Sequence, residues 1–372
     1  MDLRLTQEQR LVQDMVRKFA ANELEPKAEE ADHSQTYPKE NIKKMAELGL
    51  LGMLLPTEYE AGDMDSVSVC IVLEEVSRVC ASTGSILIAH NGLATYPILQ
   101  YGSQEQKNTY LPRLARGDFL GAFALTESEA GSDIDNIKSE ASARGDYYIL
   151  NGKKTFVMNG ENADLFLVFA RENGGLRCFI MERAVAGLRL VRMPYLLGVR
   201  ASGMSELFME GCSVPRSSLI EADARTVAGN ALQLARLLVA AQAVGIAQAS
   251  LDSSVKYAKE RRQFGRALCE FQLIQEMLAQ MATRICAARE LVYRAAVERD
   301  AASDFSVQAA MAKWFASETA SFAGRAAVQV HGGYGYTKDF PVERYLRDAK
   351  VTEIYCETSE LQKLSITERL LK

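Results

Sequence analysis

Histidine is nearly absent from this sequence: His33, His90 and His331 serve a chain of 372 residues. That scarcity argues against a His-rich metal centre. The cysteines, at 70, 80, 178, 212, 269, 286 and 356, form no CxxC pair and no metal-ligand spacing. Six of them read as small core residues in a reducing cytoplasm. No serine stands in a GxSxG elbow, so the usual hydrolase nucleophile is missing. No block of Lys or Arg stands apart from the acids, and the formal net charge is −5, which argues against nucleic acid as the main partner. Nor is there an unbroken apolar span. The most apolar run, "ARLLVAAQAVGIAQASL", is interrupted by Arg236, Gln242 and Gln248, so no membrane span is expected. The opening "MDLRLTQEQR" lacks the apolar core of a signal peptide. The expectation is a cytoplasmic protein.

What the sequence does have is apolar content, 48% of its residues, and enough length for several units around a large core. Residues 1–118 read as a helical domain. Thr6 with Gln9 makes a capping-box pattern, followed by apolar Leu11, Met15, Val16 and Phe19. Residues 119–225 change character, with short β-rich runs such as "DYYILNGKKTFVM", "DLFLVFA" and "RCFIMER" between Gly, Asn and Asp. Asn151-Gly152 is a hairpin turn signal, and the close spacing predicts a central antiparallel barrel or sandwich. Residues 226–372 are helical again, with long amphipathic runs over 228–259, 270–299 and 306–329. The fold class is α+β, two helical blocks enclosing a β domain, with no repeat or linker between them.

Five motifs occur in order along nearly the whole chain: "GAFALTESEAGSD" (121–133), "ILNGKKTFVMNG" (149–160), "RLLVAAQAVGIAQ" (236–248), "ERRQFGRALCEFQLIQ" (260–275) and "QVHGGYGYTKDFPVERYLRDAKVTEIYCETSELQ" (329–362). Each alone is weak. "ALTESEAGSD" by itself reads as an ordinary turn, and Arg261 by itself as a surface helix residue. "HGGYGY" is no dinucleotide fingerprint, since it follows a helical pattern and is not GxGxxG. Together and in register, the five resemble the acyl-CoA dehydrogenase family. The resemblance implies an N-terminal helical domain, a central β domain, a C-terminal four-helix bundle, bound FAD, and a homotetramer that passes electrons to an electron-transferring flavoprotein. It places Phe123, Leu125, Thr126, Ser132, Phe156 and Met158 along one flavin, joined by Thr358 and Glu360. Arg261, Gln263, Phe264, Gln329 and Gly333 then reach the FAD of a neighbouring subunit, and Ser132, Arg236 and Tyr355 meet the acyl-CoA. The residue types suit that chemistry. Hydroxyls and small-residue turns let backbone approach a ring edge, and a guanidinium forks onto phosphate. Arg236, set in an apolar helix, also needs a partner.

The departures from the family pattern are as informative. "TEPGAGSD" is here "TESEAGSD", which puts the shape of the turn in question. Met158 stands where a hydroxyl would face the flavin, and Phe156 where a tryptophan is frequent. The family's "IYEGTSE" puts its base glutamate at the position of Cys356, and the alternative base position, just before Arg236, is Ala235. A thiol is a poor base for an α-proton, because free cysteine titrates at about 8.5 and higher when buried. Glu357 follows at once, yet in an extended segment successive side chains diverge, so it is expected to point away. These losses suit an alicyclic, already unsaturated thioester such as cyclohex-1-ene-1-carboxyl-CoA, where proton and hydride leave beyond the α-carbon by 1,4-elimination to a conjugated diene. Asn91, in "IAHNGLATYP", is then the candidate for the ring-facing position, against the plainer reading that it bonds backbone near a helix start. The other readings are an α,β-dehydrogenase, short- or medium-chain or acting on cyclohexanecarboxyl-CoA, with a displaced base, and a flavin- or acyl-CoA-binding protein with impaired catalysis.

Overall fold

The computed structural model describes residues 5–371. Its helical N-terminal part comprises α1 (Gln7–Phe19), α2 (Glu25–Ser34), α3 (Lys39–Glu47), α4 (Ser66–Val79), α5 (Ala81–Leu87), α6 (Tyr96–Tyr101) and α7 (Gln104–Ala115). The capping box starts α1: the Gln9 amide donates to Thr6 Oγ1 at 3.2 Å, and the Thr6 amide to Gln9 Oε1 at 2.9 Å. Val16 and Phe19 enter the core, whereas Leu11 faces outward. A π-helical stretch, Ile88–Thr95, carries His90 and Asn91 between α5 and α6.

The middle part holds β1 (Gly121–Ala124), β2 (Glu140–Arg144), β3 (Tyr147–Val157), β4 (Leu165–Glu172), β5 (Gly175–Glu182), β6 (Leu188–Arg192), β7 (Ser205–Pro215) and β8 (Leu219–Ile220). Seven strands run in the order β6-β7-β3-β2-β4-β5-β8, and β1 joins through β4. Most pairings are antiparallel, but β1 and β2 each run parallel to β4. Residues 125–164 separate β1 from β4, long enough for the return that parallel pairing needs. Asn151-Gly152 is not a hairpin turn. Both residues lie inside β3, and Gly145-Asp146 link β2 to β3. The register against β7 shifts between Leu150 and Gly152, and Gly152 has φ 141°. A Cβ there would collide with Ser139, so the glycine serves a bulge rather than a turn.

The C-terminal part opens with α8 (Ala224–Glu260), followed by a small ribbon of β9 (Arg262–Gln263) and β10 (Arg266–Ala267), then α9 (Gln272–Asp300), α10 (Ser306–His331), α11 (Val342–Thr352) and α12 (Ser359–Leu370). α8 packs against α4, α9, α10 and α11. It is long and apolar enough to cross a membrane by length and composition, yet 83% of its most apolar window is buried inside the fold. Gly245 lets α8 approach α4 closely, since a Cβ there would meet Glu74 O. One core therefore runs through both helical parts, joining Val16, Met45 and Ile71 to Leu237, Val244 and Ala312. Cys70, Cys80, Cys178 and Cys212 are core residues, as expected. Cys269 is only partly covered and Cys286 lies on the exposed side of α9.

Candidate active site

Between α11 and α12 the chain makes a tight turn. Cys356 and Glu357 both adopt the left-handed conformation, with φ 49° and 72°. Non-glycine residues there carry strain of about 1–2 kcal/mol each. Three elements hold the turn. The buried Lys313 of α10 donates to Glu357 O at 2.6 Å. The Tyr355 hydroxyl donates to Gln242 Oε1 on α8, and Gln242 Nε2 in turn donates to Ala81 O at 2.9 Å and Ser85 Oγ at 2.8 Å. The Glu357 carboxylate is ion-paired with the Arg236 guanidinium through Nε and Nη2. Two successive left-handed residues do not alternate as an extended pair would, and the Glu357 side chain comes to rest on α8 against Arg236.

The electrostatics separate the two neighbours. Burial pushes the Cys356 thiol up to about 12, with Lys313 and Arg236 opposing and Glu357 reinforcing. A thiol held there is neither thiolate nor base at neutral pH. Burial pulls the Lys313 ammonium down to about 8, against the neighbouring Cys356 and Glu357. Glu357 is the acid at this point of the turn, and its side chain is 24% exposed, so it stays reachable.

A second group of residues lines an adjoining surface. Phe156 sits where the pairing of β3 with β7 shifts between Lys154 and Val157, with φ 54° and the residue 56% exposed. Thr126 is partly covered and Ser132 exposed, neither hydroxyl having a protein partner among the described residues. The turn between them closes through Glu127 and Ala130, whose amides and carbonyls pair at 3.1 Å. Ser128 and Glu129 at its tip keep negative φ, so the family's Pro-Gly is replaced without left-handed strain. Leu125 is buried in a core, and its carbonyl accepts from the Lys154 ammonium at 3.1 Å. Phe123 is partly covered and packs edge-on against Phe169 at 5.0 Å. Met158 is buried with Ala89 and Met204, flanked by Met193, Leu196 and Tyr355. Thr358 caps α12, accepting from the Leu361 amide at 3.4 Å, and Glu360 lies exposed in its first turn, its carboxyl held low by backbone and Thr358 hydrogen bonds.

A third set lies apart. Arg261, Gln263, Gln329, Gly332 and Gly333 line a cleft of about 610 Å³ with Tyr257, His331 and Tyr334. None of the Phe156 or Thr126 group borders it. Phe264, at the tip of the β9–β10 ribbon, is 92% exposed with φ 49°. A strained, exposed aromatic ring, unpartnered hydroxyls, and an open cleft carrying a guanidinium and small-residue backbone together fit FAD, divided between the ring end and the phosphate end.

Asn91 has the contacts of the plainer reading, its side chain bonded to backbone. It is buried, and its amide donates to Leu50 O at 3.1 Å and Leu87 O at 3.2 Å while accepting from the Met53 amide at 3.3 Å. Every polar atom is engaged by backbone, so the side chain ties the π-helical segment to the loop after α3. Two residues central to the site escaped the sequence reading: Lys313 and Lys154, both fully buried. The inward alternation of β3 offered a signal for Lys154, since Tyr148 and Leu150 share its face and a buried ammonium demands an acid.

Comparison with known proteins agrees along the full length. Residues 6–118 match the acyl-CoA dehydrogenase N-terminal domain, 122–212 the middle domain and 225–371 the C-terminal domain. The chain is 44% identical to a short-chain-specific acyl-CoA dehydrogenase of Clostridium acetobutylicum, covering 100% of both. It is 42% identical to an acryloyl-CoA reductase (NADH) of Anaerotignum propionicum, over 100% of this chain and 96% of the relative. A chain from the structure described as the electron transferring flavoprotein of Acidaminococcus fermentans superposes with a TM-score of 0.98 at 41% identity, covering 100% of both. The chain belongs to the acyl-CoA dehydrogenase family, oxidoreductases whose cofactor is FAD.

Proposed function

We propose that this enzyme moves hydrogen across the Cα–Cβ bond of a short acyl-CoA thioester, with Glu357 as the carboxylate that takes or returns the α-proton. The observation that carries this is the Glu357–Arg236 ion pair. By the resemblance, family bases arise from position 356 or position 235. Glu357 follows position 356 directly in the chain and its carboxylate pairs with Arg236, the residue after 235, which supports its serving the same carbon. Arg236 orients it, and the Lys313 bond to Glu357 O fixes the backbone from which it projects. In oxidation the α C–H proton passes to the Glu357 carboxylate as the β C–H bond gives up a hydride; reduction reverses both. Bound FAD supplies the hydride-accepting and hydride-donating capacity. Thr126, Ser132 and Phe156 would hold its ring. Arg261, Gln263, Phe264, Gln329 and Gly333 of a neighbouring subunit would hold the phosphate end, which the separation of the two sets within one chain supports and which fits a homotetramer. An electron-transferring flavoprotein is the proposed redox partner. The short acyl group rests on the relatives at 42–44% identity.

A second reading keeps the alicyclic thioester, oxidised by 1,4-elimination beyond the α-carbon. The deformable methionine cluster of Met158, Met193 and Met204 beside Tyr355 favours it, since thioethers adapt to a ring. Single-turnover bleaching of the flavin separates the two. With butyryl-CoA, the wild type bleaches and Glu357→Gln is slowed by about 10²–10⁴-fold. Bleaching only by cyclohex-1-ene-1-carboxyl-CoA, unchanged in Glu357→Gln, supports the second reading. No bleaching by either thioester in FAD-loaded protein would make it a binder without turnover.

A further inference from the structure

A buried ion pair anchors the run 125–132, which the resemblance sets along the flavin. Lys154 on β3 has no exposed surface. Its ammonium donates to Glu127 Oε1 at 2.7 Å and to Leu125 O at 3.1 Å. Glu127 Oε1 also accepts from the Ser139 amide at 3.0 Å, and Oε2 from the Lys138 amide at 2.7 Å. Among the described residues Glu127 is the one acid paired with Lys154. The pair joins three segments that are remote in sequence: the end of the β1 loop, the middle of β3, and the residues entering β2. Thr126 lies between the two anchors, its own carbonyl accepting from the Thr155 amide at 2.9 Å. The ammonium thus holds the residue before Thr126 by its carbonyl and the residue after it by its carboxylate.

Stability alone does not call for this arrangement. Replacing a buried ion pair with apolar side chains of similar volume is frequently neutral or stabilising, because desolvation offsets the attraction. An apolar pair, however, cannot accept from the Lys138 and Ser139 amides or bind the Leu125 carbonyl. What the ions add is a fixed path for the backbone around Thr126. Besides the pair, the run is held by backbone bonds at Thr126 and between Glu127 and Ala130, and by a surface pair of Glu129 with Lys138, where ion pairs contribute little. We propose that Lys154 and Glu127 form a positioning pair that sets the Thr126–Ser132 loop against the flavin. They act through the backbone and do not touch substrate.

The test separates positioning from packing. Three readouts are taken on purified protein: thermal unfolding of the apo form, FAD affinity by quenching of free-flavin fluorescence, and the bound-flavin absorption spectrum. Glu127→Gln keeps size and one acceptor oxygen but leaves the Lys154 ammonium without its anion and sets an amide donor against a backbone N–H, so its apo form is expected to unfold earlier than wild type and FAD to bind more weakly. Roughly ten- to a hundred-fold is the scale on which such supporting partners act. Lys154→Met leaves Glu127 buried without its cation and is expected to unfold earlier. Adding Glu127→Leu to Lys154→Met is expected to regain part of the apo stability but not FAD affinity, with a shifted flavin spectrum. Wild-type FAD affinity and spectrum in Glu127→Gln would overturn the proposal whatever the other variants do. So would their return in the double variant, since packing alone would then explain the pair.

Discussion

Exchanging the two residues at the turn provides the sharpest test of where the α-proton goes. Glu357→Gly removes the carboxylate and gives φ 72° the residue that tolerates it best. Relief of the left-handed strain returns about 1 kcal/mol. Against this, Arg236, whose side chain is 13% exposed, loses its partner. Breaking a fully buried pair is worth about 3–5 kcal/mol, and the water that reaches this one reduces that figure. The net expectation is a loss of roughly 1–3 kcal/mol in stability, with FAD retained. In rate the effect is larger, about 10²–10⁴-fold slower flavin bleaching by butyryl-CoA, or roughly 3–5 kcal/mol of barrier at 1.36 kcal/mol per decade. Cys356→Glu added to Glu357→Gly then returns a carboxylate to the turn within reach of Arg236 and Lys313. This double variant is expected to recover most of the lost rate. Exchange of the α-hydrogen of butyryl-CoA with deuterated solvent should follow the same order across the three proteins. Unchanged bleaching and exchange in Glu357→Gly would refute the assignment of Glu357. Loss without recovery in the double variant would show that position 356 does not face the same carbon.

Further expectations follow from the same geometry. Cys356→Ser is expected to leave turnover near wild type, because a buried thiol at about 12 takes no part in proton transfer; iodoacetamide should modify Cys286 well before Cys356, as peptide mass mapping would register. Asn91→Asp sets a carboxylate against the Leu50 and Leu87 carbonyls and is expected to destabilise by about 2–4 kcal/mol, without faster oxidation of cyclohex-1-ene-1-carboxyl-CoA; thermal unfolding and single turnover check both halves. Burial raises the Asp348 carboxyl from 3.8 to about 6, despite its bond from the Val199 amide and the nearby Arg347 and Arg344, with Asp32 adding to the rise. A carboxyl raised in the folded state favours folding while protonated, so its contribution is complete below pH 3.8 and is lost as pH rises through 6, a change of roughly 3 kcal/mol. Asp348→Asn is expected to flatten that part of the stability–pH curve, as denaturant titrations at pH 4.5 and 7.5 would reveal.

Periodicity carried the architecture well where elements were long. The runs over 228–259 and 306–329 fall inside α8 and α10, and 270–299 overlaps α9 from Gln272 onward, because 3.6-residue spacing persists over many turns. It failed where local chemistry has two uses. Asn-Gly serves a two-residue hairpin or a bulge, and only the pairing with β7 decides between them. Cys286 looked like a core cysteine because residue type says nothing of helix phase. At the site, Cys356 and Ala235 were legible only as residue types standing where the resemblance puts carboxylates. The Glu357–Arg236 contact was not, because it depends on two left-handed residues in succession, a conformation that glutamate and cysteine do not advertise. Asn91 was misleading for a related reason: its three partners come from segments distant in sequence, and only the assembled fold brings Leu50 and Met53 to it.

α8 imposes a constraint on how the gene can change length. The helix runs without a break from Ala224 to Glu260 and carries Arg236 at the turn and, one residue past its end, Arg261 at the cleft. Each residue of a helix advances its phase by about 100° and its axis by about 1.5 Å. A single deletion between Gln242 and Gly245 would therefore swing one half of α8 relative to the other, separating Arg236 and Gln242 from the turn or lifting the Gly245 contact off α4. Point substitutions along α8 leave that phase intact, but insertions and deletions do not. Length variation among relatives should accordingly collect at sites such as the Asn173-Gly174 tip between β4 and β5, and α8 should keep its residue count even where its sequence has drifted.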